Sequence, residues 1–321
     1  MLLSLIIGFR NEIGEDWTNY IIGLEKTKNL DLLMHKEILY NLLSKISINL
    51  NFGIYGVNFV TSIIFSTGLV FFCKSLKRSW LALTLSTPYL VIVIGMGYTK
   101  QSVALGLLMF GYTFLSRGKI IPYVISILFG SLFHLSSLIA LFFVIPFVWN
   151  TKKRITNKLL LSSLSLGGVS FLYYLNSTFI AFYILVYLQL DYYSSSGVYI
   201  RLFMICVPSI LFLILGRNLR MNENEYLLGR WISYYSLLLL GAVFFIPRET
   251  NSVIDRLALY ALPFFTVIFS NLAELKFVKL NKKYMNVVLV GIAFLTQFVW
   301  FNFSGFSKSW LPYQNILLNY F

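Results

Sequence analysis

The stretch FGIYGVNFVTSIIFSTGLVFFC, residues 52–73, carries no charge and runs straight into KSLKRS at 74–79. As a helix it is about 33 Å long at about 1.5 Å per residue, enough to cross the hydrocarbon core of a bilayer. Runs of the same kind recur near 80–97, 101–116, 198–216, 231–247, 257–273 and 285–303. The chain of 321 residues is 58% hydrophobic and only 12% charged, with a mean hydropathy of +0.77, so it has too little polar surface to coat a soluble globule. The ten-residue alternation of an outer-membrane barrel is absent. The expected fold is all-α: a polytopic transmembrane helical bundle of about 9–11 membrane segments, forming one integral membrane domain over residues 1–321.

The net charge of +14 has a plain account in such a chain, because basic loops hold helices at the cytoplasmic face. A nucleic-acid partner is not expected. Cys73 and Cys206 sit inside apolar runs and predict neither a disulfide nor a metal site. The short run Leu2 to Phe9 lacks a basic start and a small-residue cleavage pattern, so no cleaved leader is expected.

The basic clusters set the topology. KSLKRS, RGK at 117–119, TKKR at 151–154 and ELKFVKLNKK at 274–283 all belong inside. With both 117–119 and 151–154 inside, the residues between them must enter and return. Segment 120–149 is therefore expected as a re-entrant or broken hairpin, or two short half-helices, with His134 near the turn; the alternative is one long tilted helix. Segment 159–190 then crosses once and continues along the outer surface. Facing outward are 10–51, YTKQ at 98–101, LDYYSSSGVY at 190–199, PRETNSVIDR at 247–256 and the tail 304–321. Within 10–51, Ile38, Leu39, Leu42, Leu43 and Ile46 form a stripe that predicts an amphipathic helix at the interface.

This sorting leaves Arg10, Lys100, Arg201, Arg248 and Arg256 on the side where cations are disfavoured. Local pairing is one account: Arg10 with Glu12 or Asp16, Arg248 with Glu249, Arg256 with Asp255. Lys100 and Arg201 have no carboxylate beside them in sequence. A multiply anionic ligand at the outer face would account for all five.

Two further features carry chemistry. Gly14, Glu15 and Asp16 precede Tyr20: glycine permits a tight turn, and Asp16 can take a proton or orient a hydroxyl, unless it simply begins the helix WTNYIIGL. His134, in LFGSLFHLSSLIALFF, is either a packing device bonded to Ser131, Ser136 and Ser137 or a general base. Tyr192, Tyr193, Tyr199 and the tail SWLPYQN suit an interfacial aromatic belt before they suit sugar stacking. There is no nucleotide loop, nucleophile elbow, metal-ligand cluster, paired Asp-x-Asp or internal repeat, so neither cofactor nor metal is expected.

In order and hydropathy, GFRNEIGEDWTNY (8–20), YTKQSVALGLLMFGYTFLSRGK (98–119), ILFGSLFHLSSLIAL, DRLALYALPFF and the terminal WLPYQN resemble the EpsG-like branch of the Wzy polysaccharide polymerases. The resemblance implies a GT-C-like bundle in a bacterial plasma membrane, with its active site facing outward. It also implies an inverting glycosyltransferase that moves a growing O-antigen or capsule glycan from undecaprenyl diphosphate onto another lipid-linked repeat unit, with a chain-length regulator as a further partner. Arg10, Gly14, Asp16 and Tyr20 fall on the first motif, His134 on the Phe-His motif, and Arg256 and Tyr260 on a late Arg-to-Tyr helix start. Asp16 and His134 are thus the acid/base candidates. The five cations, with Tyr20 and Tyr260, are the candidate diphosphate and glycan ligands. Lys100 departs from the family pattern, which usually has Arg there, and the first helix is cut to about nine residues, short of the ~20 a span needs. A flippase of lipid-linked oligosaccharides and a membrane acyltransferase acting on glycans are the other readings.

Overall fold

The computed structural model describes residues 1–28, 37–149, 197–219, 221–245, 251–272, 275 and 282–318, with backbone alone at 282 and 283. His35, Arg248, Tyr192, Tyr193, the clusters at 151–154 and most of 274–283, and the crossing expected within 159–190 lie outside these residues. Every regular element described is helical, and the only strand-like feature is an isolated bridge between Arg10 and Asn315. The chain divides into two compact units. The first comprises residues 1–113, 125–137 and 269–321, and the second 114–124 and 138–268.

In the first unit, α1 (Leu2–Gly8) lies against α4 (Gly53–Ser75), and between them come α2 (Trp17–Thr27) and α3 (Ile38–Asn49). The 23 residues of α4 match the span read at 52–73 and pass from a neutral start to Lys74. α5 (Ser79–Ser86) continues into nine residues of π-helix, Thr87–Gly95, where a regular span was expected. The widened helix leaves carbonyls without their usual partners, and Trp310 Nε1 donates to one of them, Ile92 O, at 2.8 Å.

Helix α6 (Thr99–Leu115) crosses α4 at very close range. A Cβ placed on Gly68 would lie 1.9 Å from Gly106 O, and one on Gly106 would lie 2.6 Å from Phe65 Cα. Two backbones approach this closely only where both helices carry glycine at the crossing, the device membrane helices use to gain packing without a hydrophobic driving force.

The segment 120–149 breaks where the basic clusters require. α7 (Ile120–Ser131) stops, Leu132 to His134 form the break, and the chain resumes as a 3-10 helix, Leu135–Val144, then α8 (Ile145–Trp149). The alternative of one long helix is not realised.

In the second unit, α9 (Val198–Leu215) packs on α10 (Glu223–Ala242) and on α11 (Ser252–Ala258). α10 starts on a capping box, with Asn222 and Glu225 side chains each accepting from the other's backbone N–H. The span read at 257–273 is instead a bent pair: α11 with its 3-10 extension is followed after a 43° turn by α12 (Pro263–Leu272). Pro263 opens the second half, where its missing N–H costs no helix bond. α13 (Lys282–Phe303) returns to the first unit and exposes Val287, Phe294 and Phe298, a face suited to lipid. Among the described residues, three helices are long and apolar enough to cross a membrane, or four if the bent pair is one span. The fold is a helical membrane bundle.

Candidate functional site

The stretches 10–16, 98–101 and 309–316, all assigned outward by sequence, meet at one end of the first unit. Gly14 adopts a φ of +100°, and a Cβ there would lie 2.9 Å from Gly97 Cα. The glycine therefore serves both a left-handed turn and a close approach of two backbones. The tail binds alongside: Asn11 N donates to Gln314 O at 3.0 Å, Gly14 N to Ser309 O at 2.8 Å and Ile316 N to Phe9 O at 3.0 Å. Tyr313 donates its hydroxyl to Ile6 O, and the Trp310 ring is buried against Gly97. SWLPYQN thus fastens the N-terminal segment, a stronger tie than an aromatic belt requires.

Arg10 sits at the centre of this end and is 1% exposed. Neither Glu12 nor Asp16 pairs with it. Its Nη1 donates to Ile7 O at 2.6 Å, at the carbonyl end of α1, and its Nη2 donates to Thr99 Oγ1 at 2.8 Å, while Nε has no partner. A cation at a helix C-terminus suits the dipole. Burial draws the guanidinium down to about 10, with Tyr20, Tyr40 and Tyr313 nearby pulling the other way, so it stays charged at neutral pH.

Thr99 and Lys100 begin α6, and Lys100 leads to the main cluster. Its Nζ lies 2.7 Å from Glu37 Oε2 and 4.6 Å from the centroid of the Tyr40 ring. The other oxygen of Glu37 lies 2.7 Å from His134 Nδ1, and His134 Nε2 lies 3.3 Å from Gln101 Nε2. One carboxylate therefore joins a lysine 63 positions away to a histidine 97 positions away. The imidazole bonds to these groups and not to Ser131, Ser136 or Ser137. A backbone bond from Leu39 N to Leu132 O, 3.1 Å, joins the start of α3 to the break in α7 and brings the two side chains together. Side-chain exposures of 30% for Lys100, 16% for Glu37 and 15% for His134 leave the cluster recessed but open.

Glu37 holds this position at a φ of 62°. A non-glycine residue in the left-handed region costs about 1–2 kcal/mol, and such strain gathers at functional sites. Burial alone would raise its carboxyl, but the His134 hydrogen bond and then the Lys100 charge hold it below the usual carboxylate value. An ionised carboxylate only accepts, so the short Glu37 contact calls for a proton on His134 Nδ1. The arrangement is a histidine with a carboxylate behind it and a cation at its side.

A family model of EpsG matches residues 1–315. The chain belongs to the EpsG family. That family is a Wzy-like polymerase family, which makes this a membrane protein of polysaccharide biosynthesis. No curated protein and no solved structure gave a match to the chain.

The other predicted residues of this EpsG chain are dispersed. Asp16 stands at the N-cap of α2 without capping it, four residues before Tyr20. The Tyr20 phenol is held well above its usual value by burial, then by Tyr40 and Asp16. In the second unit, Asp255 pairs with Arg201, and both are buried. Arg256, which sequence offered to Asp255, is exposed and has no ion-pair partner among the described residues. Tyr260 is buried in the 3-10 turn Leu259–Ala261. Glu37 and Gln101 were missed by sequence reasoning. The available signal was the charge of Glu37 at the head of an apolar helical stripe.

Proposed function

We propose that this EpsG-family protein polymerises a surface polysaccharide, O-antigen or capsule, at the outer face of a bacterial plasma membrane. A glycan carried on undecaprenyl diphosphate is transferred, with inversion, to a hydroxyl at the non-reducing end of a second lipid-linked repeat unit. The convergence of His134, Glu37 and Lys100 in one recessed cluster carries this reading. The bond between the anomeric carbon and the diphosphate oxygen breaks as the bond to the acceptor oxygen forms. His134 Nε2 takes the acceptor proton, and Lys100 neutralises the departing diphosphate. Such chemistry calls on no nucleotide.

Arg10 supports this site from below. Its Nη1 and Nη2 are engaged by Ile7 and Thr99, so it fixes the start of α6 and with it Lys100. Tyr20 closes the same end beside Tyr40, their ring centroids 6.2 Å apart. Asp16 remains the second acid/base candidate. In the second unit, Arg256 is exposed and suited to a polyanionic headgroup, Arg248 and Tyr260 are proposed as further ligands of such a group, and Arg201 is committed to Asp255. A chain-length regulator is the proposed protein partner.

The test is the polysaccharide ladder of a deletion strain complemented with wild type, with His134→Ala and with Arg256→Ala, each checked for membrane abundance. Loss of a positioned general base lowers polymerisation by about 10²–10⁴-fold, so His134→Ala leaves chains of one repeat unit. If the deletion instead accumulates repeat units facing the cytoplasm, the protein moves its substrate rather than joining it, and the flippase reading replaces this one.

A further inference from the structure

Glu37 is the only carboxylate that the described residues place within ion-pairing distance of His134 or Lys100. Its two oxygens are divided between two basic groups that serve different halves of a glycosyl transfer. Its backbone is held in the left-handed region, and its helix is tied to the break beside His134 by the bond from Leu39 N to Leu132 O. A carboxylate retained at a strained φ, between a base and a cation, has a task beyond surface charge.

Resting on the polymerase reading above, we infer that Glu37 is a positioning residue that fixes His134 as its Nδ1–H tautomer and sets the spacing between base and anion-binding lysine. With Nδ1–H donated to Glu37 Oε1, the lone pair of Nε2 points toward Gln101. The Gln101 amide, 3.3 Å away, marks the place that an acceptor hydroxyl takes when it donates its proton. Glu37 Oε2 holds Lys100 over the Tyr40 ring, so the cation stands ready for the diphosphate without swinging onto the base. Glu37 does not touch the reacting atoms. It acts through the two groups that do.

The chain contains two histidines, so a ¹⁵N-histidine spectrum of the full-length protein in lipid nanodiscs contains two imidazoles. His134→Ala identifies which signal belongs to residue 134. The inference requires the Nδ1–H pattern at His134 in wild type and a mixture with Nε2–H in Glu37→Gln. Polymerisation of purified lipid-linked repeat units should fall about 100-fold in kcat for Glu37→Gln. Glu37→Asp, which keeps the charge one methylene short, should recover to within about tenfold of wild type. A wild-type Nε2–H tautomer overturns the inference, as does a tautomer indifferent to Glu37→Gln, or a Glu37→Gln variant that polymerises at the wild-type rate. The spectrum needs no activity, so it stands apart from the function. If the tautomer responds to Glu37 while wild type joins no repeat units, the polymerase reading falls and takes with it the catalytic service assigned to Glu37.

Discussion

Arg201 with Asp255 in the second unit and Glu37 with Lys100 and His134 in the first are both ion pairs made across long stretches of sequence, yet they are built for different ends. Arg201 and Asp255 are buried, and they join α9 to α11. The Glu37 cluster is up to 30% exposed, rests on a strained backbone and sets His134 Nε2 beside the Gln101 amide. The first arrangement satisfies charges that the fold has already taken out of solvent. The second keeps them partly available, as the proposed proton transfer and anion binding require.

The largest effect expected from breaking this contrast lies in the second unit. Asp255→Ala takes the carboxylate away from a buried guanidinium and should cost about 3–5 kcal/mol of stability, read as a lower melting temperature and less folded protein in detergent. Replacing both partners, Arg201→Met with Asp255→Leu, should restore most of that loss, because apolar residues of similar volume pack without the desolvation penalty. An unchanged melting temperature in Asp255→Ala would make this pair resemble an exposed one and remove the comparison's first half.

A smaller effect is expected at Lys100. Lys100→Ala should leave melting nearly unchanged and lower kcat of the proposed transfer about tenfold, as for a group whose charge stabilises the departing diphosphate in the transition state. Lys100→Arg should retain function, since the charge persists and a planar fork suits phosphate. A Lys100→Ala variant with wild-type kcat would show that the lysine only neutralises Glu37.

The helices were legible from hydropathy, and the break at His134 from the basic clusters that bracket it, because both depend on local composition against a bilayer. The partners of the cations were not. Arg256 and Asp255 are neighbours in sequence, but adjacent residues on a helix point about 100° apart, and Asp255 turns to Arg201 instead. Arg10 ignores Glu12 and Asp16 because it is drawn into the junction of α1 and α6, where neutral oxygens wait. The two cations with no carboxylate beside them in sequence, Lys100 and Arg201, each have a tertiary one. No periodicity announces Glu37, which depends on a left-handed backbone and a contact 97 residues distant. The π-helix likewise escapes a reading that counts apolar residues alone.

The gentlest way to sharpen the comparison is acid. Glu37 titrates below its ordinary value of 4.5, since burial, which raises it, is outweighed by the His134 bond and the Lys100 charge. A carboxyl whose folded value is depressed binds its proton more readily when unfolded. Its contribution to stability is therefore complete above the ordinary value and is lost as pH falls through the folded one. The neighbouring phenol does not reverse this sign: Tyr40, raised by burial and then by Glu37, stays neutral. The difference in melting temperature between wild type and Glu37→Gln should thus shrink as pH falls below about 4.5. Curves that stay parallel into stronger acid would mean that the carboxylate draws no stability from its partners, and the open cluster would then be held by its backbone alone.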